Sequence, residues 1–348
     1  MPDLNQVTLP TSNEIVALFA YTNLNRYLYV FTFFMALLSF SSNHSFGQYS
    51  YNPRLNSNFF TAYFENDIMN GTDQYYTNGF GFTFQHHQLE QSPINRILVK
   101  SRFGDVASYG LALKHAMYTP YDMHQPTPVI GDRPYASTLT LGQYKSVVNP
   151  QTNTRRKSSF TVGVIGKYAL GKELQTVVHN STDNSEAPVG WENQISSDVI
   201  LQYTYSLEKI IIDHPYGYIS AVGKADVGTQ ERSLALGTSF RWGCFENEFS
   251  TVSSTTRLLN NRLALFLSGT LLANYVDYNS TLEGGAFSNN SIYVIDSSTL
   301  TPWVMTGNVA LNVQFDRLLF KVEEALVSAE FDEAATHSWT GFTLGFLF

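Results

Sequence analysis

From residue 58 to the C-terminus, large apolar side chains recur at every second position. Tyr76, Phe80, Phe82 and Phe84 alternate with Thr77, Gly79, Gly81, Thr83 and Gln85. Leu234, Leu236, Phe240 and Trp242 alternate with Ser233, Ala235, Gly237, Ser239 and Arg241. A period of two is the signature of a strand, whose successive side chains point to opposite faces. The small and polar partners of the apolar face suit a narrow barrel that turns its greasy side outward to lipid. The pattern predicts strands over 58–66, 75–87, 106–118, 134–148, 157–169, 197–212, 217–228, 232–244, 261–276, 304–315, 317–330 and 338–348. The expected fold is therefore all-β, a transmembrane antiparallel barrel of about twelve strands with both termini on the periplasmic side. Only Leu170–Asn180 reads as helix, and Asn279–Leu300 reads as a long extracellular loop. The last strand ends Phe342, Leu344, Phe346, Phe348 on one face and Gly341, Thr343, Gly345 on the other. A terminal aromatic closing such a strand resembles the signal by which the barrel-assembly machinery recognises bacterial outer-membrane proteins.

Composition sharpens this picture. Aromatic and charged residues each make up 14% of the chain, and soluble domains carry roughly 25% charge. A mean hydropathy of −0.13 excludes a bundle of apolar spanning helices. The net charge of −8 argues against nucleic acid as a partner, because binding a phosphate backbone needs clustered Lys and Arg. Cys244 is the one cysteine, so the fold holds no internal disulfide.

The N-terminus reads as an export segment. Arg26 precedes an apolar run from Tyr27 to Phe40, followed by the small polar stretch 41–47. The run is too short to span a membrane as a helix and the right length for a signal-peptide core. Residues 1–47 are expected to be an N-terminal extension and signal peptide, cleaved near Gly47 or Gln48, and 48–348 the barrel, in the bacterial outer membrane among its lipids.

Three groups of residues carry candidate chemistry. The first hairpin places Glu65, Asn66 and Asp67 at strand positions that disfavour them, while Asn70-Gly71 is a ready turn. Oxygen donors of this kind suit a hard cation such as calcium. On the predicted helix, Gln175 and His179 stand four residues apart and share a face. His179 is either a general base near neutral pH or a packing residue. Gly131-Asp132-Arg133-Pro134 opens a strand, where Asp132 and Arg133 read as a wall ion pair with no catalytic role. A GxSxG elbow, an HExxH pattern and a P-loop are all absent from the sequence.

Six short strings, in order, resemble the outer-membrane lipid A 3′-O-deacylases, the LpxR family: ENDIMNGTDQYYTNGF (65–80), MYTPYD (117–122), GDRPYA (131–136), GVIGKYALGKELQTVVH (163–179), GWENQI (190–195) and DYNSTLEG (277–284). The resemblance implies a twelve-stranded barrel with one short helix beside its active site. It implies a hydrolase that removes ester-linked acyl chains from lipid A or lipopolysaccharide, with calcium as cofactor. It places catalytic roles on Asn66, Asp67, Thr77 and His179, the metal on Asp67, and substrate contacts on Gln175 and Arg133. An outer-membrane phospholipase and a non-catalytic barrel or pore are the alternatives. The chain departs from the family where Tyr121–Ile130 carries no Lys or Arg, only His124. The acidic residue after His179 corresponds to Asp183 or Glu186.

Overall fold

The computed structural model describes residues 58–72, 74–180, 188–245, 249 and 263–348, without the side chains of 68 and 177–180. The predicted export segment, with the boundary at Gly47, lies outside the described residues. So do Asp183 and Glu186.

Twelve strands follow one another: β1 (Phe59–Asn66), β2 (Tyr75–Gln85), β3 (Val106–Thr119), β4 (Ala136–Asn149), β5 (Thr154–Ile165), β6 (Asp198–His214), β7 (Gly217–Gly228), β8 (Glu231–Cys244), β9 (Leu263–Asn279), β10 (Trp303–Phe315), β11 (Leu318–Val327) and β12 (His337–Leu347). Each pairs antiparallel with its sequence neighbours, and β1 pairs with β12 to close the barrel. Closure leaves no sheet edge with unpaired backbone groups, which lipid would not tolerate. The expected twelve strands are thus present, with ends displaced by a few residues.

The alternation read in the sequence becomes an outer and an inner face. Phe60, Phe64, Phe82, Phe84, Leu141, Leu234, Leu236, Leu271 and Leu344 are exposed on the outer face. Inside, charges pair along and across strands, Lys224 with Asp226 within β7 at 2.7 Å and Arg155 of β5 with Glu208 of β6 at 2.9 Å. At the end of the lumen where β1 begins and β12 ends, Phe245 and Phe249 pack with Val148, Ile210, Tyr218 and Ala264. The guanidinium of Arg241 lies over the rings of Phe245 and Phe266. At the opposite mouth Tyr75, Leu282, Ile295 and Phe331 form a second apolar stopper. A polar chamber of about 300 Å³ lies within the lumen, lined among others by Lys114, Lys157 and Glu231.

One outward patch is not exposed. His115, Met117 and Thr119 share the outer face of β3 and Ser137 that of β4, yet all four are buried. The β5–β6 connection folds back over them. Gly166, at φ +84, donates its N–H to the Ser137 carbonyl at 2.8 Å. A single turn, Lys167–Ala169, follows, and His115 Nε2 donates to the Ala169 carbonyl at 2.8 Å. Leu170 then takes a left-handed φ of +64 and launches helix α1 (Gly171–Asn180), one residue later than predicted. Glu173 in its first turn complements the helix dipole. Leu174 packs against Met117, Met123, Tyr135 and Trp191. A short helix, marginal by itself, is thereby fixed flat against the outside of the barrel.

Gly171 sets how closely α1 approaches. A Cβ there would meet Ser137 Cβ at 2.5 Å and a Trp191 ring carbon at 2.6 Å. Gly171→Ala is expected to leave the heat-modifiable barrel intact on a gel while lifting α1 from the wall. A displacement of that kind lowers turnover by about a hundredfold if α1 carries catalytic groups. At the seam, Phe348 donates its N–H to the Asn58 carbonyl at 3.0 Å and stacks on Phe84 with centroids 6.2 Å apart. Deletion of Phe348 is expected to leave most of the protein unassembled, measured as the folded fraction in outer-membrane preparations.

Candidate active site on the outer wall

The β1–β2 hairpin lies next to the patch that α1 covers. Its shape depends on Tyr75, which adopts φ +57 although it is not glycine, a conformation that costs energy and persists only under packing. That packing is the mouth stopper, where the Tyr75 ring meets Phe331 and His337 edge-on. A bulge between Tyr76 and Asn78 follows directly. Its effect corrects the sequence reading of Tyr76. The alternation puts Tyr76 on the outer face with Phe80, but the extra residue turns it into the lumen, where its hydroxyl donates to Glu65.

The same bulge leaves Thr77 between its neighbours, buried, with its Oγ1 2.6 Å from Thr119 Oγ1. Asn66 Nδ2 donates to the Thr77 carbonyl at 3.0 Å. Asp67 is fully buried just beyond the strand end. Its Oδ2 accepts from Thr72 Oγ1 and from the Gln74 N–H, both at 2.9 Å, and its carbonyl accepts from the Asn70 N–H at 2.9 Å. His337 Nε2 stands 4.0 Å from Asp67 Oδ2. The structure therefore brings Asn66, Asp67 and Thr77 together in one hairpin.

Across the patch, Gln175 of α1 is buried, and its Oε1 accepts from Trp191 Nε1 at 2.6 Å. The Gln175 Nε2 has no hydrogen-bond partner among the described residues. The pentad Gly190–Gln194 thus clamps the helix: Trp191 holds Gln175, and Glu192 pairs with Lys172. That hydrogen-bonded pair holds the Glu192 carboxyl below the usual range and lifts the Lys172 amine. His179 lies in α1 one turn beyond Gln175, with its side chain outside the described residues. Met117, under Leu174, is the register partner of Asn78. The helix and the hairpin are therefore neighbours on the outer wall.

Arg133 stands apart from this patch. Its guanidinium pairs with Glu330, donates to Thr281 Oγ1 at 2.7 Å and lies over the Tyr118 ring at 4.4 Å. The wall pair with Asp132 expected from the sequence is replaced by this buried brace across the barrel mouth. Asp132 instead accepts from the Tyr121 and Arg133 N–H groups, and burial pushes its carboxyl up.

Two polar residues of the patch escape the sequence reading. Thr119 supports Thr77, and Asn78 is 5% exposed with an Nδ2 that finds no partner among the described residues. The signal for Asn78 was present, since Asn disfavours a strand interior. Nothing in the sequence pairs Thr77 with Thr119, 42 positions away.

Among the described residues no three His, Cys, Asp or Glu side chains converge on one point. Around Asp67 the hairpin offers hard donors, the Asp67 carboxylate, the Asn66 amide oxygen, the Thr72 and Thr77 hydroxyls and backbone carbonyls. That donor set fits a hard cation such as calcium and does not fit a soft one.

A family model described as "Outer membrane protein LpxR" matches residues 29–348. Among solved structures, LpxR from Salmonella typhimurium is similar with a TM-score of 0.65 and 18% identity, covering 83% of this chain and all of that one, 100%. The β domain of the Bordetella autotransporter BrkA is similar with a TM-score of 0.43 and 8% identity, over 84% of this chain and 99% of that one. No curated protein matches the chain. The shared barrel, the hairpin and the helix across six ordered motifs converge with the family model, and the chain belongs to the outer membrane protein LpxR family, a family of lipid A deacylases.

Proposed function

We propose that this protein removes an ester-linked acyl chain from the 3′ position of lipid A by attack of water at the outer-wall patch. The observation that carries the reading is a polar constellation on the outer wall of a barrel, in which half-buried Asn66 stands with buried Asp67, Thr77 and Gln175. Buried polar side chains facing lipid are expensive and mark function. The lumen is filled by side chains at both ends, and its polar groups largely pair with each other, which supports chemistry on the wall rather than transport.

In this reading His179 takes the proton from the attacking water as general base. Gln175, held by Trp191, directs its free Nε2–H toward the oxygen on which negative charge develops. Asn66 and Thr77 orient the ester and the water from the opposite side. A calcium ion bound through Asp67 would polarise the ester carbonyl and offset the developing charge. Asp67 suits that role because Thr72 and Gln74 fix its carboxylate without neutralising it. Arg133, spent on Glu330 and Thr281, braces the mouth and does not contact substrate in this account.

Two outcomes test the assignment. Asp67→Ala, like chelation of the wild type, should lower deacylation by about 10²–10³ while the heat-modifiable fold persists. Added calcium should restore the chelated wild type and leave the variant inactive. Full wild-type activity in excess chelator would contradict the role of the ion. His179→Gln keeps a hydrogen-bonding side chain but accepts no proton at neutral pH. Its turnover should fall by several orders of magnitude, and wild-type activity should decline at acid pH, where a protonated imidazole can no longer accept the proton. Near-normal deacylation by a folded His179→Gln protein would remove His179 from the mechanism.

A further inference from the structure

The register of the barrel draws a polar row across the outer wall that the catalytic hairpin only begins. Outward positions of adjacent strands pair in the order Glu324 with Thr340, Thr340 with Asn66, and Asn66 with Asn78. The next outward row on the same strands is apolar: Val322, Phe342, Phe64 and Phe80. The polar row therefore runs along the upper limit of the lipid-facing band, where the sugar headgroup of lipid A lies above its acyl chains. Strands are about 4.8 Å apart, so the Glu324 backbone is about 10 Å from that of Asn66.

Glu324 is exposed on this row and held in place. Its Oε2 accepts from Thr340 Oγ1 at 2.8 Å, and its Oε1 accepts from Asn70 Nδ2 at 2.7 Å. Asn70 also donates to Ser338 Oγ at 2.6 Å, and its N–H is bonded to the Asp67 carbonyl. A fixed carboxylate is thus tied to the hairpin that carries Asp67. On the other flank, the loop 121–130 covers the Met117 cluster through Met123 and carries no Lys or Arg. The cations at α1 are Lys167 and Lys172, and Lys172 is already paired with Glu192. The row thus offers hydroxyls, amides and one anion to a headgroup, with no guanidinium to receive a phosphate.

We infer that the site selects lipid A whose acylated distal sugar bears no phosphate, with Glu324 as the residue that discriminates and Asn78 Nδ2 as a donor to the sugar. This rests on the deacylase reading above. A phosphate beside a fixed carboxylate at the rim is repelled by an amount that slows binding about tenfold, whereas a sugar hydroxyl in its place donates to Glu324.

The test compares two probes in calcium-saturated detergent: lipid A with phosphates on both sugars, and the same lipid with the distal phosphate removed. The wild type should show a kcat/KM about tenfold or more higher for the dephosphorylated form. Glu324→Gln, which keeps an acceptor oxygen for Asn70 and can donate its NH2 to the Thr340 hydroxyl, should bring the ratio close to one, and Glu324→Lys should invert it. Equal rates on the two probes in the wild type, or an unchanged ratio in both variants, would overturn the inference and leave the deacylase reading standing. Failure to cleave either probe would overturn that reading and this inference with it.

Discussion

Everything at the site depends on strand register around a closed barrel. In lipid each backbone N–H and C=O must find a partner within the protein, and twelve strands closing β1 on β12 satisfy that requirement. Once the ladder is fixed, parity decides which side of the wall every side chain faces, and a slip of one residue would exchange the two faces. The polar outward row and the apolar one beneath it exist because these registers hold. The bulge at Tyr76 and Asn78 is where parity is broken beside the site. It sends Tyr76 inward to Glu65 and seats Thr77 against Thr119. The left-handed Tyr75 that precedes it is held by the mouth stopper, so the plug at the extracellular end and the shape of the hairpin are one construction.

The helix depends on the wall in turn. At ten residues α1 has little stability of its own. Its anchors are His115 on Ala169, Gly166 on Ser137, and Trp191 on Gln175. The β5–β6 connection thereby converts an outward face of β3 and β4 from a lipid contact into a buried contact with α1. Barrel interiors elsewhere in this molecule are crowded with paired charges. In the proposed reaction, polar groups on the outside of the wall have direct access to a substrate that is itself a membrane lipid.

The fold was legible because lipid imposes a simple rule on sequence. Alternation marked every strand, and Phe342–Phe348 marked the seam. Gln175 and His179 were legible as one helical face, since four residues make a helical neighbour pair. The inward turn of Tyr76 was not legible, because a bulge depends on backbone conformation at Tyr75 and on packing by Phe331, 256 positions beyond it in numbering (roughly the length of the barrel). The pairing of Arg133 was hidden for a related reason. Its partner Glu330 is 197 residues away, while the adjacent Asp132 offered a local pairing that the fold does not use. Contacts across the mouth are set by closure, and no spacing in the sequence encodes them.

Hydrolysis of an acyl ester of lipid A at the outer-wall patch leaves two products that can be weighed, the shortened lipid and the free acid. The most direct measurement is mass spectrometry of lipid A and of free fatty acid after incubation with purified protein and calcium. The account predicts lipid A lighter by one acyl substituent, with the matching acid released in equal amount and the rest of the molecule unchanged. Intact lipid A beside a correctly folded protein, or hydrolysis of glycerophospholipid in its place, would contradict it.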